Sequence, residues 1–302
     1  MRGAMTANWI ATDWGTSRLR VWVMDARDQV IAELSSARGV NLLGPADYEP
    51  TLLDLLERHL PRRGKLPVLI CGMAGSRQGW VQAPYVSVPC APPDVRQAMA
   101  VETEDKRLDV RILPGVSQSD PADVMRGEET RIAGFMAAHP NFDGVVCLPG
   151  THTKWVQVSA GEIVSFRTAM TGELFALLSD RSILRHSLTD KGWDEPAFVA
   201  ALQDAMGAPQ HLTARLFGLR AESLLENLPP RAARARLSGL LIGVDLAGAK
   251  GYWLGQNVAV VGSGGLAGHY VRALTEQGVA PLRADAADMT LAGLRAARKA
   301  AA

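Results

Sequence analysis

The chain opens on an apolar run from Trp9 that enters a polar turn at Asp13-Trp14-Gly15-Thr16-Ser17. It leaves that turn with Leu19, Val21 and Val23 at alternate positions, the period of a strand with one face buried. Asp25-Ala26-Arg27-Asp28 reads as a second turn and Gln29 to Leu34 as a third strand, so the pattern predicts a three-stranded meander. A helix is predicted from Tyr48 to Leu60, where Leu52, Leu53, Leu55, Leu56 and Leu60 supply an apolar face. Leu66 to Cys71 and Val110 to Leu113 read as short buried strands, and Val95 to Ala100 looks helical. Asp123 to Ala138 reads as one helix leading into a strand, Gly144 to Leu148.

That strand opens a second meander. Val145 to Val158 can be laid over Ile10 to Val23 at a constant offset of about 135 residues, which sets Gly150 on Gly15 and Thr151 on Thr16. Each copy continues through a short turn into a third strand, Glu162 to Arg167 in the second. A period near half the chain implies two related domains, with the boundary just before Asp143: residues 1–142 and 143–302. The second half is richer in helical patterns, at Leu174 to Leu178, Pro196 to Met206, Leu212 to Leu228 and Arg231 to Ala249. Asn257 to Val261 is a buried strand that runs into Gly262-Ser263-Gly264-Gly265, followed by helices at Ala267 to Gln277 and Ala286 to Ala297.

Composition narrows the function classes. Apolar residues make up 47% and charged residues 21% of 302, the balance of an ordinary globular protein. With 32 basic and 31 acidic residues the net charge is +1, which argues against broad binding to nucleic acid or an anionic membrane. Cys71, Cys90 and Cys147 are widely separated and form neither a metal motif nor a disulfide framework. Met1 to Asn8 holds no apolar stretch of signal length, so a cytoplasmic location is the default expectation, and a homodimer is compatible with the sequence.

The two Gly-Thr hairpin tips carry the first chemistry. Glycine lets backbone N–H groups approach phosphate oxygens closely, and Ser17, Arg18 and Lys154 add a hydroxyl and positive charge beside the tips. An ordinary turn explains either tip alone; their recurrence at matching places does not suit that explanation. Asp13, just before the first tip, suits a magnesium ion held through its waters. The strand, glycine turn and helix of VAVVGSGGLAGHY (Val258 to Tyr270) form a place where a nucleotide can sit against bare backbone. Neither the GxGxxG spacing nor a GxxxxGK[ST] loop is present there.

In the order of these elements the chain resembles the actin, sugar kinase and heat-shock chaperone superfamily. The resemblance implies an α/β fold of two related actin-like ATPase (ribonuclease H-like) domains around a cleft, with ATP and Mg2+ as cofactors. On it, Asp13 belongs to the first phosphate motif with Gly15, Thr16, Ser17 and Arg18. Gly150, Thr151, His152, Thr153 and Lys154 belong to the second, and Gly262, Gly264 and Gly265 line the adenosine site. More closely, DWGTSRLRVW, GMAGSRQGW, PADVMRGEET, LPGTHTKW, MTGELFALL and VVGSGGLAGHY are similar to segments of the 2-dehydro-3-deoxygalactonokinase family. That family implies ATP-dependent phosphorylation of the 6-hydroxyl of a small sugar acid, 2-dehydro-3-deoxy-D-galactonate, in galactonate breakdown.

Such a reaction needs a base, and the candidates are Glu129, then Glu128 and Asp13. Glu129 falls on the base when a Gly-x-Asp-Arg segment of the similar third-type pantothenate kinases is laid over Gly127-Glu128-Glu129-Thr130. This chain departs from that segment, with Glu for Asp and Thr for Arg. A substrate carboxylate calls for an arginine. Arg77, in the glycine-flanked loop with Ser76, is the first choice and Arg126 the second; Glu173 is expected either to meet sugar hydroxyls or to cap its helix. The alternatives are a kinase for another 2-keto-3-deoxy sugar acid and an actin-like ATPase switch with no sugar acceptor.

Overall fold

The computed structural model describes residues 7–189 and 191–300; the first six residues of the N-terminal stretch read above lie outside them. By compactness the chain forms two units. The first comprises the residues up to Phe142 together with Val158–Ser165 and those from Asp285 onward, and the second Asp143–Gln157 with Phe166–Ala284.

In the first unit the predicted meander is present as β1 (Trp9–Trp14), β2 (Leu19–Met24) and β3 (Val30–Ser36). Then come α1 (Tyr48–Leu56), β4 (Leu66–Gly72), β5 (Tyr85–Ser87), β6 (Met99–Val101) and β7 (Leu108–Ile112). After β8 (Gly115–Ser119) and β9 (Ala122–Met125) the segment ends in α2 (Glu128–Ala138). The main sheet has the order β3-β2-β1-β4-β7-β6, and β4 runs parallel to both β1 and β7. Alternation along β1 sends Ile10 and Trp14 to a core shared with Tyr48, Leu52 and Leu56 of α1, and Trp9 and Ala11 to the opposite face.

That opposite face is covered by the last helix of the chain, through Leu294 and Ala297. The sequence division assigned this helix to the second domain, whereas in the structure it packs with the first unit. The cause is a glycine pair. A Cβ on Gly134 of α2 would run into the Met289 backbone, and one on Gly293 would run into the Thr130 backbone, so only glycines let the two helices approach this closely.

The second meander is β10 (Gly144–Leu148), β11 (Thr153–Ser159) and β12 (Glu162–Ala169), whose middle stretch, Val158–Ser165, groups with the first unit. It is followed by α3 (Thr171–Arg181), α4 (Glu195–Gly207), α5 (Leu212–Leu225), α6 (Pro230–Gly248) and α7 (Lys250–Trp253). The chain closes with β13 (Val258–Val261), α8 (Gly264–Glu276), β14 (Leu282–Ala284) and α9 (Ala286–Lys299), the helix that joins the first unit. The sheet order is β12-β11-β10-β13-β14, with β13 parallel to β10 and β14. Read from the meander outward, this is the order of β3-β2-β1-β4-β7, so the internal repeat is a repeat of topology as well as of motif.

Three readings need correction. Val95–Gln97 is one 3-10 turn capped by Asp94, and Met99–Val101 then pairs as the edge strand β6, so no helix runs to Ala100. Asp123 to Ala138 is not one helix. Residues up to Met125 pair with β8, and α2 starts only after Gly127, whose φ of 105° breaks the path between them. The helix expected from Ala267 begins at Gly264, inside the glycine turn itself.

Candidate functional site

The first hairpin tip is built from backbone outward. Gly15 N–H donates to the Arg18 carbonyl at 2.9 Å and closes the turn, leaving Thr16, Ser17 and Arg18 exposed. A second segment braces it: Val40 N–H donates to the Gly15 carbonyl at 3.1 Å and Asn41 N–H to the Thr16 carbonyl at 3.0 Å. A side chain on Gly39 would collide with Ser17, so this brace also depends on glycine.

Asp13 stands in register with Arg20 on β2 and Cys71 on β4. Gly72, at φ 92°, follows Cys71, and a Cβ there would meet the Trp14 carbonyl at 2.8 Å and the Asp13 carboxylate at 3.4 Å. Gly127 in turn packs against Gly72, since its Cβ would lie 3.2 Å from the Gly72 Cα. Two left-handed glycines thus bring the start of α2, with Glu129, to the end of β1, with Asp13. The two carboxylates proposed for catalysis come together despite their separation in sequence.

Glu129 is 1% exposed and accepts the Gly127 N–H on both oxygens, at 2.8 and 2.7 Å. Burial, then the charge of Glu128, push its carboxyl up to about 7, against the backbone bonds and the charge of Arg126. Arg131, four residues beyond Gly127, shares this cluster. Burial works against its charge, and the carboxylates of Asp13, Glu128 and Glu129 outweigh burial to raise its pKa. The sequence reading missed Arg131. Its signal was a cation in the first turn of a helix, where the dipole favours an anion.

The two arginine candidates part company. Arg77 is exposed on its loop, whereas Arg126 is only 8% exposed. The Arg126 Nη2 donates to the Ala83 carbonyl at 2.9 Å and its guanidinium lies 4.3 Å from the centre of the Tyr85 ring. Its Nε and Nη1, and the Oγ of buried Ser76, have no hydrogen-bond partner among the described residues. Gly75 seats the guanidinium, because a Cβ there would lie 3.0 Å from Nη1. Buried donors without partners are costly in a resting fold and suit an anionic ligand.

In the second unit, Gly150, Thr151 and His152 form the matching tip. Gly172, at the start of α3, abuts it so closely that a side chain would strike the Gly150 carbonyl, and Glu173 N–H donates to the Thr151 carbonyl at 2.9 Å. Glu173 Oε2 lies 2.5 Å from His152 Nε2, so this glutamate joins the tip. Thr153 and Lys154 turn away from it. Buried Thr153 bonds to the Tyr270 hydroxyl at 3.0 Å, and Lys154 Nζ, 5% exposed, donates to Thr168 at 2.8 Å.

The glycine turn lies at the head of α8. A Cβ on Gly262 would meet the Ala267 Cβ at 2.9 Å, and Gly264 sits at φ 69°. Gly265 opens onto a cavity of about 330 Å3 whose walls include Phe175, Trp193, Arg234, Leu266 and His269. His269 stacks on Trp193 with centroids 4.0 Å apart, and Arg234 covers Phe175 at 5.0 Å. Burial lowers the His269 pKa, which favours the neutral ring. A roomier cavity of about 470 Å3 lies along β4, β7 and the end of α9, and none of the candidate residues lines it.

Among the described residues no three His, Cys, Asp or Glu side chains are grouped to hold a metal. Magnesium takes one or two protein carboxylates and keeps its waters, so a single carboxylate such as Asp13 meets its demand without such a group.

Comparison with known proteins identifies the family. A family model described as 2-keto-3-deoxy-galactonokinase matches residues 13–297. A protein of Rhizobium meliloti (strain 1021), named "Probable 2-dehydro-3-deoxygalactonokinase DgoK1", is 40% identical over 297 residues, covering 96% of each chain. The 2-dehydro-3-deoxygalactonokinase of Escherichia coli (strain K12) is 35% identical over 277 residues, covering 91% of each. A crystal structure of "a putative 2-dehydro-3-deoxygalactonokinase protein from Sinorhizobium meliloti" superposes with a TM-score of 0.88 at 40% identity, over 97% of this chain and 96% of that one. At 13% identity, the activator of 2-hydroxyisocaproyl-CoA dehydratase from Clostridium difficile still superposes with a TM-score of 0.52, over 97% and 95% of the two chains. The last likeness concerns fold alone, and with the repeated sheet order it bears out the actin-like ATPase fold. The chain belongs to the 2-keto-3-deoxy-galactonokinase family of sugar kinases.

Proposed function

We propose that the chain transfers the γ-phosphoryl group of ATP to the 6-hydroxyl of 2-dehydro-3-deoxy-D-galactonate, in galactonate breakdown and in the cytoplasm. The observation that carries the substrate class is the buried Arg126, whose Nε and Nη1 have no partner among the described residues and which lies beside Gly127 and Glu129 in sequence. A guanidinium offers parallel donors that match a carboxylate, and Ser76 supplies a hydroxyl next to the Gly75 seat. Arg77 is left as an exposed residue on the same loop.

In this reading Glu129 accepts the proton of the attacking hydroxyl. Its carboxyl titrates at about 7, where it is basic enough to take a proton yet largely ionised just above neutrality. Arg131 holds positive charge in the same cluster. Asp13 would hold magnesium through water, and that ion would supply charge neutralisation on the phosphates. Gly15 to Arg18 and Gly150 to His152 supply backbone and hydroxyl donors to phosphate oxygens, with Glu173 orienting His152. The nucleoside is assigned to the 330 Å3 cavity beside Gly265, between the Trp193–His269 stack and Phe175. The products are ADP and the phosphorylated sugar acid, with the proton left on Glu129.

The test is ADP release measured with ATP, magnesium and a panel of 2-keto-3-deoxy sugar acids. Turnover should need the acid and be fastest with the galactonate derivative. ATP hydrolysis indifferent to any acid would overturn the reading, and faster turnover with another acid would move the substrate within the class.

A further inference from the structure

The second unit buries a carboxylate that the reaction does not use. Asp245 of α6 is 7% exposed, and its carboxylate accepts from side-chain donors on three other elements. Its Oδ1 accepts the Trp155 indole N–H at 2.9 Å. Its Oδ2 accepts the Thr171 hydroxyl at 2.7 Å and, in a short bond, the Tyr270 hydroxyl. Tyr270 has one proton to give, so Thr153, whose hydroxyl lies 3.0 Å away, donates to it in turn.

These partners are not scattered. Trp155 and Thr153 are on β11, directly beyond the second phosphate tip. Thr171 is the first residue of α3 and precedes Gly172, which abuts Gly150 of that tip. Tyr270 lies on α8, whose first residues, Gly264 and Gly265, form the glycine turn. We infer that Asp245 is a positioning residue for the nucleotide, fixing the second phosphate hairpin, the start of α3 and the head of α8 relative to one another from behind.

The chemistry explains why an aspartate stands here. An indole N–H can only donate, so one oxygen must remain an acceptor. The other oxygen serves two hydroxyls at once, which a carboxylate does with its spare lone pairs. An amide must turn its NH2 toward Thr171 and Tyr270, leaving those hydroxyls without their shared acceptor. Burial raises the Asp245 pKa, and the bonds from Tyr270, Thr171 and Trp155 offset only part of that rise. Such satisfied networks fix one geometry, and phosphoryl transfer depends on positioning to a fraction of an ångström.

The inference rests on the second hairpin and α8 serving the nucleotide. Its test is calorimetric binding of a nonhydrolysable ATP analogue with magnesium to wild type, Asp245→Asn and Tyr270→Phe, beside KM for both substrates. Tyr270→Phe keeps the ring packing, so it reports even where Asp245→Asn fails to fold. Expected is a loss of nucleotide affinity of about tenfold in each folded variant, a parallel rise in KM for ATP, and an unchanged KM for the sugar acid. Wild-type nucleotide affinity in folded Tyr270→Phe, or an equal rise in both KM values, would overturn the positioning role. A wild-type chain that bound no nucleotide would instead overturn the nucleotide reading, and this inference with it.

Discussion

The two units share a sheet order and a Gly-Thr hairpin, yet they treat buried charge in opposite ways. In the second, Asp245 is saturated by Trp155, Thr171 and Tyr270. In the first, Arg126 keeps two buried nitrogens without partners among the described residues, and Glu129 is bonded chiefly by the Gly127 N–H. A saturated group stabilises one geometry, whereas an unsatisfied one costs stability in the resting fold and gains its partner only from a ligand. The difference assigns a framework role to one unit's buried carboxylate and acceptor chemistry to the other unit's cluster.

The contrast is broken most sharply at Glu129. Glu129→Gln should lower kcat by about 100- to 10,000-fold, as expected for loss of a general base, with nucleotide affinity unchanged in a binding titration. The same group should leave a mark on stability. Its folded pKa of about 7 lies above the ordinary value of 4.5, so the native state binds more protons than the unfolded state between those limits. Stability should therefore be fully present at the acid end of that window and fall as pH rises through 7, by on the order of 3 kcal/mol. Urea unfolding at pH 5 and pH 8 should show this slope in wild type and its loss in Glu129→Gln.

Arg126→Met comes next. It should raise KM for the sugar acid by roughly 30-fold, equivalent to about 2 kcal/mol for a charge-assisted bond, while leaving thermal stability unchanged or higher. A large loss of stability would show that Arg126 is framework after all. The smallest effect is expected at Glu173→Gln, because the His152–Glu173 pair is partly exposed, at 46% and 36% of the two side chains. A two- to fivefold rise in KM for ATP, read from steady-state kinetics, fits roughly 0.2–1 kcal/mol for such a pair.

How much of this could be read from residues alone follows the range of the interactions. Both meanders were legible because short apolar runs are a local signal, as along Trp9–Trp14 and Gly144–Leu148, which are buried almost throughout. The small sheet of β5, β8 and β9 was not, since Tyr85–Ser87 is three residues long and shows little burial contrast, and its pairing is set by distant chain. The return of α9 depends on Gly134 meeting Gly293, a contact that no local pattern announces. At the site, the hairpin tips and Glu129 were visible as motifs. The choice between Arg77 and Arg126 was not, because both lie near glycines and only the folded chain buries one of them. Lys154 shows the same limit: its charge sits next to the tip in sequence, but strand alternation sends the side chain to Thr168.

The measurement that bears most directly on the account is the pH dependence of kcat/KM for the sugar acid, in wild type and in Glu129→Gln at saturating ATP. The account predicts a wild-type rate that falls as pH drops through about 7, as the base takes up its proton, and a residual rate in the variant without that limb. The same limb persisting in the variant, or a variant as active as wild type, would contradict the assignment of Glu129 and move the base to another group, with Asp13 and Glu128 the next candidates.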